Sequence, residues 1–311
     1  MTKQKTTIVL SLLAMYLIWG STYLGIRLAI ASIPPLLMTS MRLLLAGSLL
    51  FLFLVIRRQS LPSWRQWRNA LIVGGLMLGG GLGGTTFAEQ WVESGLAAVL
   101  VATVPLWATL MVGVSEKWPS RQEWVGIAVG LVGVVLLNAE DNLRANPLGA
   151  VLMLAAPISW AFGSMLSRRL DIAKGSMGFA SEMLMGSAVL LVLALVRGER
   201  LTAVPTTQSI VAWLYLAIFG SLIAFSAYMY LLQTVNITLA TSYAYVNPVV
   251  AVLLGVLVAG ETISGLGMVA IAIILSAVVI ITFAQRRPSA KTKEREREER
   301  RPLPEPLQGE Q

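Results

Sequence analysis

A polar stretch interrupts one of the apolar segments of the chain. The sequence SYAYVNPVVAVLLG covers residues 242–255 and places Tyr243 four residues before Asn247, directly ahead of Pro248. Residues i and i+4 of a helix share a face, so this spacing presents a hydroxyl and an amide together. Pro248 also leaves the carbonyl of Ala244 without its helical partner. Unpaired polar groups are unfavourable in hydrocarbon, so the stretch favours a binding cavity over lipid contact.

Other apolar segments carry aromatic and polar groups at helical spacing. Trp19 and Tyr23 share a face of the first segment, as Trp160 and Ser164 do in the sixth, and Tyr230 belongs to a polar stripe in the eighth. Aromatic rings with polar handles in several helices favour a cavity for an amphipathic small molecule. The alternative role, anchoring at the membrane interface, is weak for tryptophans that lie away from segment ends.

Charged residues inside apolar segments are the second group of candidates, because such charges usually pair or function. Arg27, Arg42 and Glu89 all fall toward the external ends of their segments, which predicts one Arg–Glu pair there. Glu182 lies nearer the cytoplasmic end of the seventh segment. Pairing with an arginine at the end of the sixth segment is favoured for Glu182, and carrying a coupling proton is the alternative.

The composition places these residues in a membrane protein and excludes common enzyme classes. The chain has 311 residues, of which 56% are hydrophobic and 13% are charged, too few polar residues to cover a soluble protein of this size. It contains no cysteine and no histidine, which excludes Ser–His hydrolases and histidine-bound zinc. We therefore expect no enzyme activity and no cofactor or metal, and the net charge of +8 reflects membrane orientation rather than nucleic-acid binding.

Hydropathy predicts an all-α integral membrane protein with ten transmembrane helices. Each segment has about 16 to 24 residues, which suits a bilayer. The first, about 22 residues long, exceeds a signal-peptide core. The predicted segments are 8–29, 36–56, 69–88, 94–114, 123–138, 147–167, 177–196, 209–232, 238–259 and 263–284.

Loop charges predict the orientation in a bacterial inner membrane. Counted on alternate sides, 19 Lys and Arg residues fall on one side and 3 on the other. Positive loops stay in the cytoplasm, so both termini are expected there. The charged, proline-containing segment 286–311 is expected to be a disordered cytoplasmic tail.

The chain repeats itself with an offset of about half its length. Trp19 and Arg27 recur 141 residues later as Trp160 and Arg168. The segments 90–114 and 233–257 align at an offset of 143, and EWVGIAVGLVGVVLL aligns with GMVAIAIILSAVVII at 144. A unit of five helices is odd, so its second copy must enter the membrane from the opposite side. We predict two inverted repeats, 1–140 and 141–285, around a central cavity.

The same alignment pairs two prolines inside apolar segments. Pro105 in the fourth segment corresponds to Pro248 in the ninth. Matched helix breaks in the two halves of a repeat are the best sequence indication of a central binding site. The alternative is a pair of kinked but well-packed helices.

With these motifs the chain resembles the EamA family of the drug/metabolite transporter superfamily over residues 8–284. The resemblance is carried by IWGSTYLGIRLAI, ISWAFGSMLSRR, LATSYAYVNPVVAVLLG and GETIS. It implies an exporter of amino acids, other metabolites or toxic organic compounds. It also implies a cavity lined by the first, third, fourth, sixth, eighth and ninth helices. The substrate-binding residues it favours are Trp19, Tyr23, Gln90, Trp107, Trp160, Ser164, Tyr230, Tyr243 and Asn247.

One departure from the wider superfamily concerns coupling. The small four-helix members of the superfamily that this chain resembles use a glutamate in the first helix for proton antiport. Neither the first nor the sixth segment here contains a carboxylate, so that route is not predicted.

Three functions remain open at this point. The leading one is an exporter that works by alternating access, with a small molecule, membrane lipid and a proton as partners to test. An uncoupled facilitator or channel of the same fold is the second, and a lipid flippase is the third. The sequence leaves the oligomeric state open between monomer and homodimer.

Overall fold

The computed structural model describes residues 3–115, 118–137, 146–235 and 243–284. The tail and the predicted boundary between the repeats lie outside these ranges. Within them the chain is helical and forms no strand. The helices are α1 (Lys3–Ile30), α2 (Pro35–Ile56), α3 (Trp64–Gly74), α4 (Gly84–Ala88), α5 (Ser94–Val101), α6 (Val104–Ser115), α7 (Arg121–Leu137), α8 (Pro147–Ser167), α9 (Ser176–Val196), α10 (Thr207–Tyr215), α11 (Ala224–Thr234), α12 (Tyr243–Ala259) and α13 (Gly265–Ala284). Two π-helices join some of them: π1 (Gly75–Gly83) and π2 (Leu216–Ile223).

Seven helical stretches in the described part of the chain are long and apolar enough to cross a membrane. They fall on the predicted first, second, third, fourth, sixth, seventh and eighth segments. Val246–Ala259 and Gly265–Ile281 are shorter apolar helices on the ninth and tenth. The prediction of an all-helical membrane protein is therefore confirmed.

The third and eighth segments each contain a π-helix. In the third, π1 separates α3 from α4, and in the eighth π2 separates α10 from α11. The glycine-rich π1 packs on α8, where Ser159 Oγ donates a hydrogen bond of 2.8 Å to the carbonyl of Leu76. A side chain that hydrogen-bonds to a backbone carbonyl of a helix can interrupt its regular i→i−4 bonding and so favour a local π-helix.

The two proline-containing segments differ in the structure. The fourth segment is interrupted at residues 102–103, between α5 and α6, two residues ahead of Pro105. The ninth segment runs through Pro248 without interruption as part of α12. A proline removes one hydrogen bond and bends a helix, and neighbouring helices can keep the bent helix continuous. Both prolines lie on the same cavity, as described below.

Helix packing brings distant parts of the chain together. The closest associations are α2 with α9 and α7 with α13. α1 packs on π2, α11 and α12, while α8 packs on π1, α4 and α6. Between α2 and α9, Ser40 Oγ donates to the carbonyl of Ser187 at 2.9 Å, and Ser187 Oγ donates to the carbonyl of Ser40 at 3.1 Å. The two serines thus make the same contact in both directions.

Candidate functional site

A cavity of about 580 Å³ lies among the helices. Its wall is formed by residues of α1, α2, π1, α4, α5, α6, α8, α9, π2, α11 and α12, so both halves of the chain contribute. At one end it extends to the loop between α8 and α9, where exposed Gly175 is part of its wall. Its wall also includes the buried residues Thr85 and Arg42. This volume falls in the range of small-molecule sites.

Aromatic side chains form much of the wall. Trp19 donates its indole N–H to the carbonyl of Gly220 at 2.9 Å, which fixes the ring. The Trp19 ring meets Tyr243 edge-on at a centroid distance of 4.9 Å and Tyr228 at 5.5 Å. Across the wall, Phe179 of α9 stacks on Phe225 of α11. The cavity therefore offers rigid apolar faces with hydroxyl groups at their edges.

The polar face predicted for the ninth segment is directed to the cavity. Tyr243, Asn247 and Pro248 all lie in the wall, as the i, i+4 spacing requires. Asn247 is 7% exposed and its Oδ1 has no hydrogen-bond partner within the described structure. A buried polar atom without a partner suits a ligand donor, because desolvation is otherwise uncompensated.

The cavity wall also contains a buried guanidinium. Arg42 is 5% exposed, and its Nε donates to Ser221 Oγ at 3.0 Å. Its Nη1 has no hydrogen-bond partner among the described residues. Thr22 and Thr85 lie in the same part of the wall. This part of the cavity wall therefore combines one positive charge with several hydroxyl groups.

The predicted external ion pair forms with a partner that the sequence argument did not select. Arg27 Nη1 lies 3.6 Å from Oε1 of Glu261. Glu89 is 2% exposed, and neither of its carboxylate oxygens accepts a hydrogen bond from a described residue. It influences Arg27 and Arg42 only through longer-range electrostatics. Glu261 takes the pair because its carboxylate also accepts two backbone N–H bonds, from Ser94 and Gly95.

Glu182 lies in the cavity wall rather than in an ion pair. It belongs to α9, near the end of the cavity that reaches the loop after α8. Among the described residues no salt bridge joins it to Arg168 or Arg169, the partners favoured from the sequence. Its side chain is therefore a carboxyl group that faces the cavity.

The structure sorts the other predicted residues into two groups. Trp19, Tyr23, Trp160, Ser164 and Pro105 lie in the cavity wall with the residues described above. Gln90 instead lies on a surface pocket and donates its amide to the carbonyl of Phe87. The indole of Trp107 donates to Thr103 Oγ1 within the same helical segment at 3.1 Å. Trp107 and Tyr230 are not in the cavity wall.

The surface pocket around Gln90 has a volume of about 460 Å³ and lies at the external ends of the helices, as the charge distribution predicts them. Its wall includes the loop 31–34 and Arg197. Partial burial raises the pKa of Glu199, although its carboxylate accepts a 2.9 Å hydrogen bond from the backbone N–H of Leu37. The pocket is more polar than the central cavity.

Several cavity residues were absent from the sequence-based selection. They are Thr22, Phe179, Ser221, Phe225 and Tyr228. Tyr228 and Phe225 share a face of α11 that differs from the face of Tyr230. Their aromatic spacing was visible in the sequence, but π2 immediately before α11 sets which face turns inward.

Apolar helices arranged around a central cavity are typical of membrane transporters. The EamA-like transporter family model matches residues 6–139 and again residues 147–283. The chain belongs to the EamA-like transporter family. The family prediction made from the sequence is confirmed.

Several curated proteins are similar to the chain along most of its length. It is 49% identical over 276 residues to the uncharacterized inner membrane transporter YedA of Escherichia coli (strain K12), a match that spans 88% of this chain and 90% of that protein. It is 27% identical to the uncharacterized transporter YoaV of Bacillus subtilis (strain 168), over 90% of this chain and 99% of the relative. Protein PecM of Dickeya dadantii (strain 3937) is 27% identical, over 88% and 93%.

A solved crystal structure has the same fold. It superposes with a TM-score of 0.63 at 21% identity and matches 90% of this chain and 99% of its own. At this identity the likeness concerns the fold.

Proposed function

We propose that the chain is a bacterial inner-membrane exporter of small organic molecules, such as amino acids, other metabolites or toxic compounds, and that it works by alternating access. The observation that carries the proposal is the central cavity, whose wall reaches the exposed loop between α8 and α9. That loop contains Arg168, Arg169 and Lys174, so the positive-inside rule puts it in the cytoplasm. A cavity open to the cytoplasm is the state in which an exporter loads its substrate.

The mechanism requires two inverted five-helix repeats, and three observations support them. The family model matches twice, once in each predicted half. π1 starts at Gly75 and π2 at Leu216, the same 141-residue offset that separates Trp19 from Trp160. The packing is also exchanged between the halves, because the first segment packs on the eighth and ninth while the sixth packs on the third and fourth.

The reciprocal bonds of Ser40 and Ser187 support the same arrangement. A two-fold axis makes residue i contact residue j and j contact i in the same way. The two hydroxyl-to-carbonyl bonds between α2 and α9 have this form. We place a pseudo-two-fold axis in the membrane plane near these serines, as expected for inverted repeats.

Counterflow in proteoliposomes tests transport and the position of the site. Vesicles are loaded with amino acids or organic cations, and exchange of the labelled compound is measured. We expect exchange of one class, with Asn247→Ala reducing it because a cavity group is lost. Gln90→Ala is the matched control, because Gln90 lies on the surface pocket. Equal exchange by the two variants would move the site away from α12.

Energised uptake into inverted vesicles distinguishes export from facilitated diffusion. An exporter accumulates substrate against its gradient, whereas a facilitator only equilibrates it. Absence of exchange across the panel, combined with movement of a fluorescent lipid between leaflets, would replace the proposal by the flippase function. No enzymatic conversion of the probes is expected in any arm.

A further inference from the structure

We propose that Arg42 is the substrate-anion site of the cavity, and that the preferred ligands are small molecules that join a carboxylate to an apolar or aromatic body. The inference rests on the proposed transport function and names the substrate class of the same cavity.

The burial of Arg42 calls for a partner that the chain itself does not supply. The side chain is 5% exposed within a predicted membrane-spanning helix, where an unpaired charge is unfavourable. Its Nε is bonded to Ser221, but Nη1 has no hydrogen-bond partner among the described residues. No carboxylate of the described chain lies within 4.0 Å of the guanidinium, although Glu89 contributes long-range attraction. A ligand carboxylate would supply the missing acceptor and charge.

The surroundings keep space for such a ligand. A side chain at Gly220 would bring its Cβ to 3.1 Å from Nη2 of Arg42, so glycine leaves the guanidinium room. The carbonyl of the same glycine is held by the indole of Trp19. The hydroxyls of Thr22 and Thr85 donate to the carbonyls of Trp19 and Gly81, and Ser221 Oγ donates to the carbonyl of Leu216. The unpaired Nη1 of Arg42 is therefore the donor that remains for a ligand, and a guanidinium N–H matches the geometry of carboxylate binding.

The rest of the cavity determines the body of the ligand. From the arginine, the wall continues with Trp19, Tyr228 and Tyr243. Rings of this kind bury an apolar or aromatic group. A carboxylate bound at Arg42 therefore projects its substituent toward the aromatic faces.

A pair of probes of the same shape tests the inference. 3-Phenylpropionate and 3-phenylpropanamide differ chiefly in charge, and 2-phenylethylamine carries the opposite charge. Binding of each is measured by equilibrium dialysis with the full chain in nanodiscs. We expect the carboxylate to bind about tenfold or more tightly than the amide, the effect of one charge-assisted interaction. Arg42→Gln should abolish this preference and Arg42→Lys should retain part of it.

Arg27→Gln is the matched control, because Arg27 pairs with Glu261 and is not in the cavity wall. It should leave the preference unchanged. Gly220→Ala is a second variant in case the Arg42 variants misfold. Its added methyl group crowds the guanidinium, so it should reduce the preference for the carboxylate without removing the charge of Arg42. Equal affinities of the native chain for the carboxylate and the amide would overturn the proposal, as would a preference unchanged in Arg42→Gln.

The failure of this inference can be distinguished from failure of the transport function. Binding and exchange of 2-phenylethylamine, without binding of the carboxylate, would overturn the anion site and leave transport standing. Absence of binding and of exchange for all three probes would count against both.

Discussion

Replacing Glu261 by glutamine is expected to lower the stability of the protein more than Glu123→Gln or Arg27→Gln does. The carboxylate accepts bonds from the backbone N–H and hydroxyl of Ser94, at 2.8 and 2.6 Å, and from the N–H of Gly95 at 3.0 Å. It thereby caps the first turn of α5 from the loop that follows α12. Its side chain is 1% exposed, so water cannot replace it.

The magnitude follows from these contacts. A hydrogen bond to a charged group contributes about 1.5–3 kcal/mol. Glutamine keeps one acceptor oxygen for Ser94 but turns an amide toward the N–H of Gly95, so about one such bond is lost. Arg27 is 40% exposed and adds no more than about 1 kcal/mol. The sum is about 1.5–4 kcal/mol, which corresponds to a fall in Tm of about 2–6 °C for a chain of 311 residues.

The assay is thermal unfolding in nanodiscs at one scan rate. Glu123→Gln is the matched control, because that carboxylate accepts a 2.7 Å bond from the N–H of Ser120 at an exposed helix start. Its Tm should change by less than about 1 °C, as for most surface substitutions. Arg27→Gln should also have a small effect. A Tm change for Glu261→Gln equal to that of Glu123→Gln would refute the buried cap. An equally large change for Arg27→Gln would show that the ion pair dominates instead.

Two further predictions concern helix packing. In Gly20→Ala the new Cβ would lie 2.6 Å from the Cβ of Val250, so α1 and α12 must separate. We expect a loss of stability of about 1–3 kcal/mol, measured as a lower Tm. Gly265→Ala has open space around its new Cβ and should leave the Tm unchanged. The chain has no cysteine, so Ser40→Cys combined with Ser187→Cys introduces a single pair of thiols. The pair should form a disulfide on mild oxidation because the two serine hydroxyl oxygens are 3.4 Å apart. An electrophoretic mobility that does not change on oxidation and reduction would contradict the α2–α9 contact.

The positions of the helices were predictable because the length of an apolar run reports the thickness of the membrane. The sixth segment was predicted at 147–167 and α8 has those bounds, and α9 starts one residue before the predicted seventh segment. The π-helices were not predicted, because they depend on contacts between segments. The bond from Ser159 to the carbonyl of Leu76 joins residues 83 positions apart, and no local pattern announces it.

The candidate site was predictable where one uninterrupted helix carries the pattern. Tyr243 and Asn247 lie on one turn of α12, so their shared face could be derived from helical spacing. The eighth segment behaved differently. There π2 changes the number of residues per turn before α11 begins, and the inward face carries Phe225 and Tyr228 instead of Tyr230. Helical periodicity cannot be extended across such a change.

Glu261 illustrates a second limit. It follows an apolar segment and belongs to a short polar loop, where a glutamate is ordinarily exposed. Its burial arises because the loop places it over the first turn of α5, whose Ser94 and Gly95 lie 167 and 166 residues earlier in the chain. Glu89 is closer in sequence to Arg27 and Arg42, so it was the partner predicted for the ion pair. Only the three-dimensional arrangement of α1, α5 and the loop after α12 distinguishes the two.

The cavity is asymmetric with respect to the proposed repeat, and that asymmetry suggests how the proposed transport cycle would proceed. The loop after α8 is part of the cavity wall, whereas the loop 31–34 after α1, its proposed equivalent, lies on the separate surface pocket. If the two halves are equivalent units, exchanging their conformations would close the cavity at residues 170–175 and extend it to residues 31–34. Two hydrogen bonds in the cavity wall, of Arg42 with Ser221 and of Trp19 with Gly220, join the two halves of the chain. A ligand anion held by Arg42 would therefore sit at a contact between the halves, so that substrate binding and the proposed exchange of conformations would involve the same guanidinium.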